Sequence, residues 1–280
     1  MKYYKPTTPG RRQMTAPDYG VLSKVKPEKK LLVKLPVRAG RNNQGRITVR
    51  HKGGGARKLY RLIDFKQTDK LNIPAKIETL EYDPYRTSFI MKLLYQDGER
   101  RYILAPQGVK VGDKVIAAQE APLTPGNRLM LKNIPVGYRV YNVELIPGKG
   151  GQMIRSAGSS GQILAQDAGY TQIKLPSGEI RKALWNGFAS IGEISNPDWG
   201  LTTIGKAGRT RKMGIPPTVR GSAMNPVDHP YGGGEGRQPR GTRRPKTKWG
   251  KITGGRKTRN KKKWSNILII SRRPKKRKKK

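Results

Sequence analysis

The chain has 280 residues, no cysteine, and 60 Lys and Arg against 18 Asp and Glu, a formal net charge of +42. Without cysteine there is no disulfide, thiolate metal site or cysteine nucleophile, and two histidines, His51 and His229, are too few for a histidine metal cage. Such a charge repels itself in a compact state unless a polyanion neutralises it, so a nucleic acid is the expected partner.

The charge is segmented. Residues 1–60 carry 16 Lys and Arg and 2 acids, residues 61–200 carry 18 and 14, and residues 201–280 carry 26 and 2. A nearly balanced middle is therefore flanked by two basic extensions. The first residues, Met1 to Pro6, lack the apolar stretch of a secretory signal and the pattern of a transit peptide. A spanning helix needs about 20 apolar residues, and the longest apolar runs, such as Ile267–Ile270, are far shorter. No basic amphipathic segment suggests a membrane surface. The expectation is a cytoplasmic protein with no membrane and no small-molecule substrate.

Taken in chain order, residues 1–58 read as a basic extension. Within it Arg41, Asn42, Asn43, Arg46, Arg50, His51, Lys52, Gly53 and Gly54 combine guanidinium forks, amides and glycines. Forks match phosphate oxygens, and glycines let backbone N–H groups approach a phosphate or sugar. A flexible linker seldom carries so many Arg and Asn.

Residues 59–125 read as the first β group. Leu59–Phe65 and Ala75–Tyr82 alternate apolar and polar positions. Ser88–Tyr95 and Arg101–Leu104 flank an Asp-Gly turn at Asp97-Gly98, a hairpin signal, and Val111–Val115 suggests a tight turn into a short strand. Residues 126–200 read as the second group: Val136–Ile146, then Thr171–Leu175 and Glu179–Leu184 around Pro176-Ser177-Gly178, closed by Gly192–Ile194. Helix is confined to a turn or two near Ala121–Leu131 and Asn196–Leu201. Strands this short, punctuated every 8–12 residues, make small barrels or sandwiches. The fold class is mainly β: an oligonucleotide-binding-like barrel, then an SH3-like barrel, between long irregular extensions. Trp185 reads as core.

Between strands, Pro147–Gln152 places Lys149 among glycines, with Arg155 behind it. The spacing fails that of a nucleotide P-loop, which needs Gly-x4-Gly-Lys-Ser/Thr opening a helix, so polynucleotide backbone contact remains.

Residues 201–280 are rich in Gly, Pro and Lys/Arg, with too little apolar surface to offset ordering entropy. This extension is expected to order on RNA. Lys206, Arg209, Arg211, Lys212, Arg220, Asn225, His229, Arg237, Arg243, Arg244, Trp249 and Lys257 are its candidate contacts, with Trp249 and Trp264 placed to stack on bases. Lys275–Lys280 reads as a solvated tail. Asp228 beside His229 suggests an acid–base pair, but adjacent side chains diverge and no supported nucleophile accompanies them.

Three functional classes compete for a chain this basic. A structural RNA binder accounts for both extensions and for the Gly/Pro-shaped loop around His229. A DNA-compacting protein shares the charge but needs no such loop. An enzyme acting on RNA needs clustered acids or a His pair, and the extensions hold only Asp18, Glu28, Asp228 and Glu235.

The run Gly221–Pro230 followed by Gly232–Gly236 resembles the universal ribosomal protein L-two family of the large subunit, bacterial type. So do Arg41–Arg50 with Gly53–Gly55, Leu80–Pro84, Asp97–Pro106, Asn133–Gly137 and Pro147–Gly151. The resemblance spans essentially the whole chain. It implies the two barrels, both termini extended into 23S-type rRNA, and neighbouring ribosomal proteins as partners. It also implies roles in small-subunit association, tRNA binding and organisation of the peptidyl transferase centre. His229 falls in the loop nearest that centre, as support for RNA catalysis and not as a catalyst. No cofactor or protein-bound metal is expected; structural magnesium would be held by the rRNA. Two positions depart from the family pattern. Tyr231 stands where a second His is usual, and Pro216 where an Arg is common, a phosphate contact that Arg209, Arg211 or Lys212 could replace.

Overall fold

The computed structural model describes residues 1–236, 240–255 and 257–273. The chain divides into two compact units. One comprises Met1–Pro36, Arg57–Lys206 and Ile267–Lys280; the other comprises Val37–Ala56 and Ala207–Asn266.

The first unit holds the β structure. A ribbon of β1 (Lys2–Tyr3) and β2 (Thr15–Ala16) encloses a single helical turn, α1 (Pro9–Arg12). A second ribbon pairs β3 (Leu32–Val33) with β4 (Tyr60–Arg61). The alternation over Leu59–Phe65 predicts a longer strand than this. The extended run stops because Asp64 Oδ1 accepts the amides of Lys66 and Gln67, both at 2.9 Å, a side-chain turn that competes with strand pairing.

The first barrel is a four-stranded curled sheet of β5 (Ala75–Glu81), β6 (Ile90–Tyr95), β7 (Arg100–Leu104) and β8 (Lys114–Val115), in the order β7-β6-β5-β8, all antiparallel. The Asp-Gly hairpin forms as expected: Gly98 sits at φ +83° and donates to the Tyr95 carbonyl at 2.9 Å, a backbone state that glycine adopts without steric cost. Ile77, Met91, Leu93, Ile103 and Val115 fill the interior. A bulge between Ile77 and Thr79 shifts the register, so Thr79, Leu80 and Glu81 are all buried. Glu81 is satisfied there by the hydroxyls of Tyr102 and Thr79, each at 2.8 Å.

The second barrel is a seven-stranded sheet ordered β15-β13-β12-β11-β10-β14-β9. Its strands are β9 (Arg128–Met130), β10 (Arg139–Tyr141), β11 (Gly161–Asp167), β12 (Tyr170–Lys174), β13 (Ile180–Leu184), β14 (Phe188–Ile191) and β15 (Ile269–Ser271). Leu129, Leu131, Ile134, Val140, Ile163, Ile173 and Ile191 form its core. Leu104 of the first barrel packs with Tyr141 and Ile194 of the second, and Phe65 and Ile154 lean on this junction.

The short helical turns expected near Ala121–Leu131 and Asn196–Leu201 appear as 3₁₀ turns at Leu131–Asn133 and Pro197–Leu201, with β9 just ahead of the first because Arg128 and Leu129 pair with Ser190 and Ala189. Two expectations need correction. Trp185 is half-buried, not core: it follows the last residue of β13, in the turn to β14. The run Ile267–Ile270, read only as too short for a membrane, supplies an edge strand that pairs with β13. No helix of the described residues is long and apolar enough to cross a membrane.

The second unit is mostly irregular. It contains α2 (Ala207–Lys212), which the sequence pattern does not predict, and short 3₁₀ turns at Gly221–Ala223 and Trp264–Asn266.

Candidate nucleic-acid interface

The second unit brings together two segments far apart in sequence. Gly53 donates its amide to the Gly214 carbonyl at 3.0 Å, and Ala56 donates to Lys212 at 2.9 Å. The Arg211 guanidinium lies beside Gly54, and the Thr218 hydroxyl approaches His51 Nδ1 at 3.5 Å. The glycines thus let one backbone lie against the other. Arg41, Asn42, Asn43, Arg46, Arg50, His51, Lys52, Gly53 and Gly54 therefore share a unit with Arg209, Arg211, Lys212, Arg220, Asn225 and His229, and with Arg243, Arg244, Trp249 and Lys257. Arg237 lies outside the described residues.

This unit carries 22 Lys and Arg but only two acids, Asp228 and Glu235. The first unit, by contrast, pairs many of its cations with its own carboxylates, as in the Arg101 cluster with Asp64, Asp69 and Glu99 and in Arg128–Glu144. Arg41, Arg46 and Arg50 are exposed, as are Lys52, Arg211, Lys212, Arg220, Arg243, Arg244 and Lys257. Asn42 is partly committed: its Oδ1 accepts the amides of Gln44 at 3.0 Å and Arg46 at 2.9 Å, shaping the turn that presents Arg46. Trp249 is 63% exposed, with the Lys248 ammonium 4.9 Å from its ring centroid. A cation on one face leaves the flat aromatic available for stacking.

The loop around His229 is held by its own backbone. The amides of Asp228 and His229 both donate to the Asn225 carbonyl, at 3.0 and 3.2 Å, and Gly233 donates to Met224 at 3.1 Å. His229 is buried. Its Nδ1 accepts the Tyr231 amide at 3.1 Å, so in the neutral ring the proton resides on Nε2. The bond that would orient a catalytic dyad is thereby taken by backbone, and the neighbouring Asp228 is exposed. Gly221 completes the cradle, since a Cβ there would stand 2.6 Å from the imidazole. Tyr231 packs against His229 with ring centroids 4.8 Å apart and the planes tilted by 47°. Its hydroxyl accepts the Lys246 amide and the Thr242 hydroxyl, which holds the phenol below its usual pKa, the Thr242 bond foremost. The Tyr231 departure thus ties the loop to the Lys246 turn.

The first unit has its own basic recess. A cavity of about 550 Å³ is lined by Tyr60, Phe65, Tyr85, Arg86, Gln152 and Arg155, among others. Tyr60 and Tyr85 meet edge to face at 5.5 Å. The Arg86 guanidinium lies 4.9 Å from the Tyr60 ring and 5.5 Å from Phe65, and Arg155 lies 4.7 Å from Phe65. Arg86 also pairs with buried Asp83 and donates to the Tyr60 hydroxyl at 2.7 Å. Of these residues the sequence pattern pointed only to Arg155. It did not single out Arg86, Tyr60, Tyr85 or Phe65, although aromatic–cation interleaving at Tyr85-Arg86, just after Asp83-Pro84, was an available signal. Lys149 is exposed in its glycine loop, and Lys206 is exposed at the end of the Arg57–Lys206 segment of the unit. No group of three His, Asp or Glu able to hold a metal occurs among the described residues.

A unit with 22 basic residues against two acids, an aromatic–cation recess, and two small barrels define an RNA-binding protein built on β modules. The family comparison specifies which. Residues 28–117 match the family described as Ribosomal Proteins L2, RNA binding N-terminal domain, and residues 124–250 match Ribosomal Proteins L2, C-terminal domain. The chain belongs to the ribosomal protein L2 family: it is a large-subunit ribosomal protein that binds RNA.

Proposed function

We propose that this chain is a primary binder of 23S-type rRNA, of the bacterial type, whose second unit and terminal segments neutralise phosphates where RNA helices pack together. The observation that carries the reading is the separation of charge. The first unit spends its carboxylates on its own cations, whereas the second sets 22 basic residues against two acids. Phosphate is the counter-ion such a surface needs. In this reading the Arg, Lys and Asn residues named above contact RNA backbone, Trp249 stacks on a base, and Arg86 and Arg155 grip RNA at the aromatic recess. Neighbouring ribosomal proteins and the small subunit are the further partners, in the cytoplasm. The protein supports subunit association, tRNA binding and organisation of the peptidyl transferase centre.

Catalysis belongs to the RNA. His229 acts by holding a shape, because its Nδ1 is committed to backbone and its ring is enclosed by Gly221 and Tyr231. No small-molecule cofactor takes part, and magnesium enters with the rRNA.

The test is binding of the full chain to a 23S-type transcript across a salt series, with duplex DNA as competitor. The logarithm of affinity should fall with the logarithm of salt, with a slope of about −0.7 to −0.9 for each phosphate neutralised. A flat salt response, or equal affinity for duplex DNA, overturns the proposal.

A further inference from the structure

We propose that the buried Arg128–Glu144 ion pair is a positioning device for Arg155: it holds Ile154 in the left-handed conformation that sets the Arg155 guanidinium over the Phe65 ring. The inference rests on the reading of the aromatic recess as an RNA contact.

Both side chains of the pair are fully buried, with Arg128 Nη2 donating to Glu144 Oε1 at 2.8 Å. Burial pushes the Arg128 guanidinium below its usual pKa, against the pull of Glu144. A buried ion pair of this kind adds little stability over apolar residues of equal volume, because desolvation offsets the attraction. It does supply donors fixed in direction, and here they reach backbone. Arg128 Nη1 donates to the Asn142 carbonyl at 2.9 Å and Nε to the Lys66 carbonyl at 3.3 Å. The second oxygen of Glu144 accepts the amides of Gly148 at 3.2 Å and Phe188 at 3.3 Å.

The held backbone is strained. Asn142 lies at φ +49° and Ile154 at φ +55°, and the Asn142 amide donates to the Ile154 carbonyl at 2.9 Å. Asparagine tolerates this conformation, whereas a β-branched residue there is an outlier. Such a residue persists only where its surroundings over-determine it, and it is found where function needs a fixed geometry. Asn142 is the clamp: Arg128 holds its carbonyl, Ile154 receives its amide, and Gly151 lies so close to its side chain that no Cβ would fit. Gly151 in turn donates to the Phe65 carbonyl at 2.9 Å. Both members of the Arg155–Phe65 stack, 4.7 Å apart, therefore hang from Arg128, one through Asn142 and Ile154 and the other through Lys66.

The experiment is a double-mutant cycle on the full chain, read as affinity for a 23S-type rRNA transcript beside thermal melting. Arg128→Met with Glu144→Leu removes the pair without leaving a buried charge, and Arg128→Gln with Glu144→Gln, a neutral polar pair, replaces it should the apolar pair not fold. Each is expected to weaken binding about ten-fold, and the loss should vanish in an Arg155→Ala background. Adding Ile154→Asn, which tolerates the left-handed state, should restore part of the affinity. A purely structural pair would lower melting with affinity unchanged, or its loss would add in full to that of Arg155→Ala; either outcome overturns the proposal. If Arg155→Ala alone leaves affinity unchanged, the reading of the recess as an RNA contact fails instead.

Discussion

Leu268→Ala tests whether the far end of the basic extension belongs to the fold. Leu268 is 8% exposed, whereas Ile267 and Ile270 beside it are 81% and 46% exposed. The Lys182 amide donates to the Leu268 carbonyl at 2.8 Å, and Ile269 and Ser271 pair with Arg181 and Ile180. Burying a leucine side chain contributes about 1.5–3 kcal/mol, and truncation to alanine in a core costs about 2–5 kcal/mol. An edge strand can close over the gap, so the lower figure applies, about 2 kcal/mol. For a unit of this size that lowers Tm by about 4–8 °C. Ile267→Ala, at a mostly solvated position, should change stability by less than about 0.5 kcal/mol. The assay is thermal and urea unfolding of the full chain followed by circular dichroism. Equal melting of the Leu268 and Ile267 variants would refute the assignment of β15 to the sheet. Truncation after Asn266, which removes the whole strand, should destabilise at least as much as Leu268→Ala; an unchanged melt would refute the assignment equally.

Gly221→Ala puts a methyl group 2.6 Å from the His229 ring, an overpacking that costs about 1–3 kcal/mol locally. Peptide-bond formation by ribosomes reconstituted with it should fall, while melting of the barrels stays unchanged. Arg155→Ala should reduce the steepness of the salt dependence by about one unit of slope, measured on a 23S-type transcript. Stability should also depend on acid in a defined direction. Hydrogen bonds from Arg101 hold Asp69 and Glu99 below their ordinary values of 3.8 and 4.5, and Lys70 does the same for Asp97. Each contributes stability above its unfolded pKa that is lost as pH falls through the lower folded value. Unfolding free energy should therefore be flat from neutrality to about pH 5 and decline below it, and Glu99→Gln should flatten the decline.

Strand content was legible wherever a turn residue interrupts alternation. The Asp97-Gly98 and Pro176–Gly178 hairpins are local signals, and both form. Other strands were less visible. In β11 a register shift between Ile163 and Ala165 spoils the alternation. β14 is buried at all four positions, so it has no polar face to mark a period of two. The recess was hidden for a different reason. Tyr60, the adjacent Tyr85 and Arg86, and Arg155 come from three separate segments, which meet where Phe65 and Ile154 pack at the barrel junction.

What the sequence determined by itself is the partner class. Sixty basic residues, sorted into two extensions around a balanced middle, demand a polyanion wherever the chain folds, because electrostatic repulsion depends on composition more than on contacts. The loop from Gly221 to Gly236 was likewise legible, since its glycines and prolines dictate local backbone shape. What only the tertiary structure decided is which cations are free. Arg101 and Arg128 look in sequence like any RNA-binding arginine, yet one is held by Asp64, Asp69 and Glu99 and the other is sealed against Glu144. The Arg101–Asp64 partners stand 37 positions apart, and a distance so long in sequence and so short in space is settled by the packing of the strands, not by the order of the residues.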